Sequence, residues 1–128
     1  MDYSSGKNKK ILVVDDNDIH LTIAETMLKK DYDIMLARSG TEALDYFLRS
    51  EFPDLVLLDI IMPNMDGWET YRKLKAISLL KDIPIAFLTS VNEEAEEKRA
   101  YEMGAVDYIM KPYDKKDLLT RIKVIFDK

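Results

Sequence analysis

Five residues with reactive or charged side chains each stand at the end of a short apolar run of the sequence. Asp15 and Asp16 follow a run that ends at Val14, and the other three are Asp59, Thr89 and Lys111. Asp59 is the hardest to explain as an ordinary surface group, because the segment L-V-L-L-D-I-I-M surrounds it with apolar residues. A carboxylate in such a setting is costly to bury unless it has charged or hydrogen-bonding partners.

The types of these side chains indicate a particular chemistry. Three carboxylates brought together repel one another and take up protons unless a cation lies between them. Oxygen ligands without histidine or cysteine favour a hard ion, and Mg²⁺ commonly shares such a site with phosphate oxygens. Lys111 adds a second positive charge, and two cationic groups beside a carboxylate suit the transfer of a phosphoryl group to it.

Each residue also has a simpler explanation when it is taken alone. Asp15 and Asp16 could cap a helix, Thr89 could stand at the approach to one, and Lys111 could be a surface lysine or a structural ion-pair partner. The prediction of a site depends on their joint position at the ends of four predicted strands. In an open parallel sheet, ligands bind beyond the carboxyl ends of the strands.

Apolar runs alternate with amphipathic segments along the chain. Most of the runs are continuously apolar, which is typical of strands covered on both faces of a parallel sheet, and they span 11–14, 34–37, 55–58, 83–88 and 106–110. Apolar residues spaced three and four apart predict core-facing helix stripes that contain Ile19, Ile23, Met27 and Leu28, then Ala43, Leu44, Phe47 and Leu48, then Tyr71, Leu74 and Ile77, and finally Leu118, Ile122, Ile125 and Phe126. We therefore predict one α/β domain with an open, doubly wound five-stranded parallel sheet and five helices.

Polar residues predict where the helices begin. Capping boxes or N-caps are expected at Ser39 with Glu42, at Ser90 with Glu93, at Asp66 and at Asp114. The fourth predicted helix, about 92–103, differs from the others because its apolar face is thin and consists mainly of Ala95, Ala100 and Met103. We expect this helix to be weakly held and movable.

The composition limits the class of protein. The 128 residues fit one domain, and 19 basic against 24 acidic residues leave a net charge of −5. Such a chain is a poor candidate for direct binding to nucleic acid or an anionic membrane, both of which need basic patches. The absence of cysteine excludes disulfides and thiolate chemistry. The polar start and the shortness of the apolar runs predict a soluble cytoplasmic protein.

Four segments together resemble the receiver domain of two-component response regulators, which act in phosphorelay signalling. They are D-D at 15–16, D-I-I-M-P-N-M-D-G at 59–67, T-S at 89–90 and G-A-V-D-Y-I-M-K-P at 104–112. Each segment alone is a weak signal, but the four at this spacing are highly specific. The resemblance implies a flavodoxin-like receiver fold with strand order 2-1-3-4-5 over residues 10–128. Residues 1–9 are predicted to be a flexible polar segment.

The resemblance implies a role for each residue of the acidic cluster. Asp59 is the expected phosphoacceptor and also a ligand of Mg²⁺. Asp16 is expected to bind the metal ion directly, and Asp15 mainly through water. The backbone carbonyl of Ile61 is expected to complete the protein ligands.

The resemblance also implies roles for the residues around the phosphoacceptor. Thr89 and Lys111 are expected to act in catalysis with Asp59, by contacting the phosphoryl oxygens. Tyr108 matches the switch aromatic of the family, which turns inward when Thr89 moves towards the phosphate. The Lys111–Pro112 peptide bond is expected to be cis.

A signalling switch is the implied function, rather than an enzyme with a separate substrate. A histidine kinase or a histidine phosphotransfer protein is the expected donor. Phosphorylation is expected to shift the conformation of the face formed by the fourth helix, fifth strand and fifth helix, which would control a downstream effector domain or protein. Asp107 and Arg121 stand where some transcription-factor receivers form a salt bridge across a phosphorylation-dependent homodimer. The output, and whether the receiver works alone or within a longer regulator, are left open.

Two other classes of function also remain open. A phosphatase of the haloacid dehalogenase type uses an aspartate nucleophile with Mg²⁺, but it normally has a second Asp two residues later, where this chain has Ile61. A degenerate receiver acts without phosphorylation and lacks a site residue, whereas none is missing here. His20 is interpreted as a solvated residue near a kinase-docking face, and Trp68 as half-buried packing.

Overall fold

The computed structural model describes residues 9–128, which form one five-stranded parallel sheet with helices on both faces. The strands lie in the order 2-1-3-4-5 and comprise β1 (Lys10–Val14), β2 (Asp33–Ala37), β3 (Leu55–Leu58), β4 (Ile85–Thr89) and β5 (Asp107–Met110). The predicted fold and strand order are confirmed. The predicted flexible segment 1–9 lies almost entirely outside the described residues.

Successive residues of each inner strand face opposite helical layers. Five helices cover the sheet: α1 (Asp18–Leu28), α2 (Gly40–Leu48), α3 (Gly67–Ala76), α4 (Glu94–Met103) and α5 (Lys115–Phe126). In β1, Ile11 and Val13 belong to the core under α1 and α5, whereas Leu12 and Val14 belong to the core under α2, α3 and α4. Because both faces are covered, the strands read as continuous apolar runs rather than as alternating ones.

The predicted core face of α1 is wrong in part. Leu28 is buried as predicted, but Ile19 is 70% exposed and Ile23 is 42% exposed. Leu21 and Ala24 are buried in their place. Both sets of residues have helical spacing, so periodicity alone does not decide between them. In α2, Leu48 also lies outside its predicted stripe because it is 83% exposed.

Most of the predicted helix starts are confirmed, and one is wrong. The side chains of Ser39, Asp66 and Asp114 each accept a hydrogen bond from a backbone N–H of the first turn. The capping box predicted at Ser90 does not form. Instead α4 begins after Glu93, which makes no side-chain capping hydrogen bond within the described chain. The helix that was expected to be weakly held therefore also lacks a capped start.

Candidate functional site

The five residues identified by type and spacing lie together at the carboxyl edge of the sheet. Asp15 and Asp16 follow β1, Asp59 follows β3, Thr89 ends β4 and Lys111 follows β5. Backbone hydrogen bonds extend the strand ladders into these loops. The Asp59 N–H donates to the Val14 carbonyl at 3.0 Å, and the Lys111 N–H donates to the Thr89 carbonyl at 2.9 Å. The site is therefore positioned by backbone hydrogen bonds that continue the strand ladders.

Three carboxylates form an acidic cluster that could hold a metal ion. One carboxylate oxygen of each of Asp15, Asp16 and Asp59 lies within 4.8 Å of the others. Asp15 and Asp59 are buried and Asp16 is exposed, so the cluster opens to solvent on one side. A set of oxygen donors with this charge fits Mg²⁺ better than it fits a softer metal. Ile61, the fourth expected ligand, lies in the loop after Asp59, and the role of its carbonyl stays a prediction.

Each buried carboxylate has one oxygen engaged by the backbone and the other near Lys111. The Asp15 Oδ1 accepts from the Asn17 N–H at 2.9 Å, and the Asp59 Oδ1 accepts from the Ile60 N–H at 2.8 Å. The Lys111 ammonium lies 2.5 Å from the Asp15 Oδ2 and 3.4 Å from the Asp59 Oδ2. Lys111 thus provides the positive charge that was predicted beside Asp59.

The cis peptide bond predicted between Lys111 and Pro112 is present.

Burial raises the pKa of Asp59 above its usual value. The Lys111 ammonium lowers the pKa, the nearby Asp15 carboxylate raises it, and hydrogen bonds from the Thr89 hydroxyl and the Ile60 N–H lower it. The net shift is upward, so the surrounding protein groups do not fully stabilise the charged form of Asp59. A cation bound to the cluster would favour that charged form.

Thr89 and Tyr108 are connected through one residue of the β4–α4 loop. The fully buried Thr89 accepts a hydrogen bond from the Val91 N–H through its Oγ1 at 3.2 Å. The Tyr108 hydroxyl donates to the Val91 carbonyl at 2.7 Å, and the ring is buried. Burial and the carboxylates at the start of α4 raise the pKa of Tyr108 to about 12. Tyr108 therefore occupies an inward position in this conformation.

Asp107 and Arg121 pair within one molecule. Arg121 Nη1 contacts the two carboxylate oxygens of Asp107 at 2.9 and 3.1 Å, and its Nε contacts Asp117 at 3.1 Å. The Tyr101 hydroxyl also donates to Asp107, at 3.2 Å. Asp107 thus connects α4, β5 and α5. A salt bridge across a dimer remains a prediction, and it would compete with these contacts.

Two residues outside the predicted set have contacts that the sequence did not indicate. His20 was interpreted as solvated, yet its Nδ1 lies 2.9 Å from the Lys111 Nζ. Trp68 was interpreted as half-buried, but it is only 5% exposed and contacts both the Phe87 ring and the Arg99 guanidinium. No local sequence pattern could have revealed either contact, because the partners are far apart along the chain.

Two relatives of the chain have names that describe transcriptional regulation. It is 39% identical over 119 residues to the alkaline phosphatase synthesis transcriptional regulatory protein PhoP of Bacillus subtilis, covering 92% of this chain and 48% of that protein. It is 40% identical over 120 residues to the probable transcriptional regulator ycf27 of Porphyridium aerugineum, covering 93% of this chain and 48% of the relative. The chain therefore spans about half the length of these curated relatives.

The structure is similar to solved receiver structures. One is a CheY-like response regulator receiver domain protein of Methanospirillum hungatei, with a TM-score of 0.83 and 32% identity over 93% of this chain and 94% of that one. Within residues 9–128, no helix is both long enough and apolar enough to cross a membrane.

The family model described as "Response regulator receiver domain" matches residues 11–123 of the sequence. The chain belongs to the response regulator receiver domain family.

Proposed function

We propose that Asp59 accepts a phosphoryl group from a phosphohistidine of a histidine kinase or a histidine phosphotransfer protein. The observation that best supports this proposal is the position of the Asp59 carboxylate. It lies in the acidic cluster with Asp15 and Asp16, and its Oδ2 is 3.4 Å from the Lys111 ammonium. A carboxylate placed between a metal site and a lysine is well suited to receive a negatively charged group.

The residues of the site would have separate roles in phosphoryl transfer. Mg²⁺, held by Asp15, Asp16, Asp59 and the Ile61 carbonyl, would supply positive charge to the phosphoryl oxygens. An Asp59 oxygen forms the new bond to phosphorus while the bond between phosphorus and the donor's imidazole nitrogen breaks, and that nitrogen keeps the electron pair. Lys111 donates a hydrogen bond to a phosphoryl oxygen. Alignment and charge neutralisation supply most of the rate.

The exposed side of α1 is a suitable surface for the phosphoryl donor. Ile19 and Ile23 are exposed there, next to a mainly apolar groove of about 450 Å³ lined in part by Lys111 and Tyr113. Large exposed apolar side chains grouped beside polar residues are typical of protein–protein contacts. A donor that docks here would bring its phosphohistidine close to the acidic cluster.

Phosphorylation is proposed to act on the face formed by α4, β5 and α5. The Thr89 hydroxyl accepts from the Val91 N–H and lies near enough to Asp59 to lower the pKa of that carboxyl, while the Val91 carbonyl accepts from Tyr108. A phosphoryl group on Asp59 offers Thr89 a stronger acceptor, so the hydroxyl would move and the β4–α4 loop and Tyr108 would follow. Population of the shifted conformation would then control a downstream effector domain or protein.

Transcription is the output that the relatives favour, because the two curated relatives described above are named as transcriptional regulators. A phosphorylation-dependent homodimer through the α4–β5–α5 face is part of this proposal. It would require Arg121 to exchange its internal partner Asp107 for the same residue of a second copy. We expect no direct contact of this domain with nucleic acid, since its net charge is −5.

The test is phosphorylation by a small phosphodonor, such as phosphoramidate, with Mg²⁺. We expect the wild type to gain one phosphoryl group, located on Asp59 by mass spectrometry, and to gain none when a chelator removes the metal. Asp59→Asn should abolish the modification, whereas Asp45→Asn, at an exposed position of α2, should leave it unchanged. Phosphate that still attaches to Asp59→Asn would refute the proposal, and multiple turnover of phosphomonoesters would favour a phosphatase.

A further inference from the structure

His20 is the only histidine of the sequence, and it lies beside the lysine of the site. Its Nδ1 is 2.9 Å from the Lys111 Nζ, although 91 residues separate the two along the chain. The side chain of His20 is 42% exposed and that of Lys111 is 10% exposed. The imidazole therefore covers the lysine at the open side of the site.

The chemistry of the two groups and one distance decide which atom accepts in this hydrogen bond. A lysine ammonium has three N–H donors and no acceptor, so Nδ1 must accept from it through its lone pair. The alternative is a protonated ring that donates to the Asp15 carboxylate, but Nδ1 is 3.6 Å from the Asp15 Oδ2. That separation is too long for a hydrogen bond. His20 is therefore a neutral acceptor for Lys111 in this geometry.

Three acceptors surround the Lys111 ammonium, and they are not equivalent. The Asp15 Oδ2 at 2.5 Å and the His20 Nδ1 at 2.9 Å are close, whereas the Asp59 Oδ2 at 3.4 Å is distant. The two short contacts engage two of the three N–H groups. The third N–H is left for the Asp59 Oδ2, to which the ammonium also donates.

We infer that His20 is a positioning residue that holds Lys111 so that one N–H is directed at the group transferred to Asp59. This inference rests on the proposed function, because it assigns His20 a part in phosphoryl transfer. When Asp59 carries the phosphoryl group, the N–H near its Oδ2 donates to a phosphoryl oxygen, and the other two contacts keep Nζ in place. Orientation of this kind is a large part of rate acceleration.

Asp15 alone positions the Lys111 ammonium less well than the short distance between their atoms suggests. It belongs to the acidic cluster, so a cation bound there shares the carboxylate with Lys111 and weakens their contact. His20 lies outside that cluster and is an uncharged acceptor. Its contribution to holding Lys111 is therefore greatest when the metal ion is bound, which is the state that reacts.

The experiment measures phosphorylation by phosphoramidate with Mg²⁺ in three variants. His20→Leu removes the acceptor, and His20→Asn keeps one, because the asparagine Oδ1 occupies nearly the place of the histidine Nδ1. We expect His20→Leu to be phosphorylated about three- to tenfold more slowly than the wild type, as for loss of one charge-assisted hydrogen bond. His20→Asn should remain within about twofold, as should Asp45→Asn at an exposed position of α2. Phosphoramidate needs no docking surface, so the rates exclude effects on partner binding.

A second readout reports on Lys111 directly. Proton-detected ¹⁵N NMR observes a lysine ammonium when hydrogen bonds slow its exchange with water. With Mg²⁺ bound, we expect a Lys111 signal in the wild type and in His20→Asn, and its loss in His20→Leu.

The outcomes separate the inference from the proposed function. A wild-type chain that phosphoramidate does not phosphorylate would overturn the proposed function. A phosphorylated wild type whose rate and Lys111 signal are both matched by His20→Leu would overturn the role of His20 alone. An Asn variant as slow as the Leu variant would overturn the assignment of His20 as an acceptor.

Discussion

Helices α1 and α4 follow β1 and β4, at whose ends Asp15 and Thr89 lie. The contacts that attach these two helices to the rest of the molecule are very different. α1 buries Leu21, Ala24 and Leu28, and the Asn17 side chain caps it by accepting from two backbone N–H groups. α4 buries only Ala100 among its ten residues, all of which the structure describes, and its start is uncapped by a side chain. α1 is therefore anchored in the hydrophobic core, whereas α4 is attached mainly by contacts at the protein surface.

Polar and aromatic contacts hold α4 in place of apolar burial. The Arg99 guanidinium lies 4.1 Å from the centre of the Trp68 ring, and the Tyr101 hydroxyl donates to Asp107 at 3.2 Å. Contacts of this kind contribute little individually at a protein surface. We therefore expect a small change of free energy at the site to shift α4 more readily than α1. The proposed switch depends on this asymmetry, since the site must stay assembled while the output face moves.

The largest expected effect compares core substitutions in the two helices. Leu28→Ala, at a fully buried position of α1, should lower the free energy of unfolding by about 3 kcal/mol through lost burial and a residual cavity. Ala100→Gly, at the buried position of α4, should lower it by only about 1 kcal/mol, mainly through helix propensity. Urea denaturation measures both values. Equal losses in the two variants would contradict the comparison.

The raised pKa of Asp59 predicts how the stability of the protein depends on pH. Burial raises this pKa in the folded state, so the folded chain binds the proton more tightly than the unfolded chain does. The associated stability is present below the unfolded pKa and is lost as the pH rises through the folded pKa. Asp59→Asn cannot ionise, so with a chelator present it should be more stable than the wild type at neutral pH.

The pH dependence distinguishes this origin from a general packing effect. The stability advantage of Asp59→Asn should shrink as the pH falls through the raised pKa of folded Asp59, and it should be gone below the usual pKa of an aspartate. Asp45→Asn serves as the exposed control. Urea denaturation at a series of pH values measures it. An advantage that grows in acid would mean that the sign of the pKa shift is wrong.

Hydrogen exchange compares the two helices in the resting protein. Backbone amides of α4 should exchange about tenfold or more faster than those at the centre of α1, because a helix with little apolar burial opens locally at lower cost. Mass spectrometry of peptides from the two helices measures the rates. Similar protection in both helices would remove the basis for a movable α4.

The smallest effect concerns the contact of Arg99 with Trp68. Arg99→Ala should lower the free energy of unfolding by about 0.5–1 kcal/mol, as expected for one partly exposed cation–π contact. The fluorescence of Trp68 should change at the same time, because the guanidinium covers its ring. Lys98→Ala, at an exposed neighbouring position of α4, is the matched control and should change neither property.

Strand positions and site residues could be predicted because both depend on short stretches of sequence. Continuous apolar runs identify the buried parallel strands, and the residues at their ends, such as Asp59 and Lys111, must lie at one edge of the sheet. The thin apolar face of α4 likewise predicted its low burial. These inferences need no knowledge of how distant segments meet.

The orientation of α1 and the contacts of His20 could not be predicted in this way. Apolar residues occupy more than one side of α1, so Leu21 and Ile23 each fit a stripe of helical spacing. Docking on the sheet decides which stripe is buried. His20 contacts Lys111 only because β1 and β5 end at the same edge, and a single histidine gives no periodic signal of that contact.

The central claim is that a group on Asp59 shifts α4 while α1 stays in place. Hydrogen exchange of the wild type with Mg²⁺, with and without the phosphate mimic beryllium fluoride, tests it most directly. We predict altered exchange in α4 and the β4–α4 loop, unchanged exchange at Ala24 and Leu28 in α1, and no response in Asp59→Asn. A mimic that binds at Asp59 and changes both helices equally, or neither of them, would contradict the account.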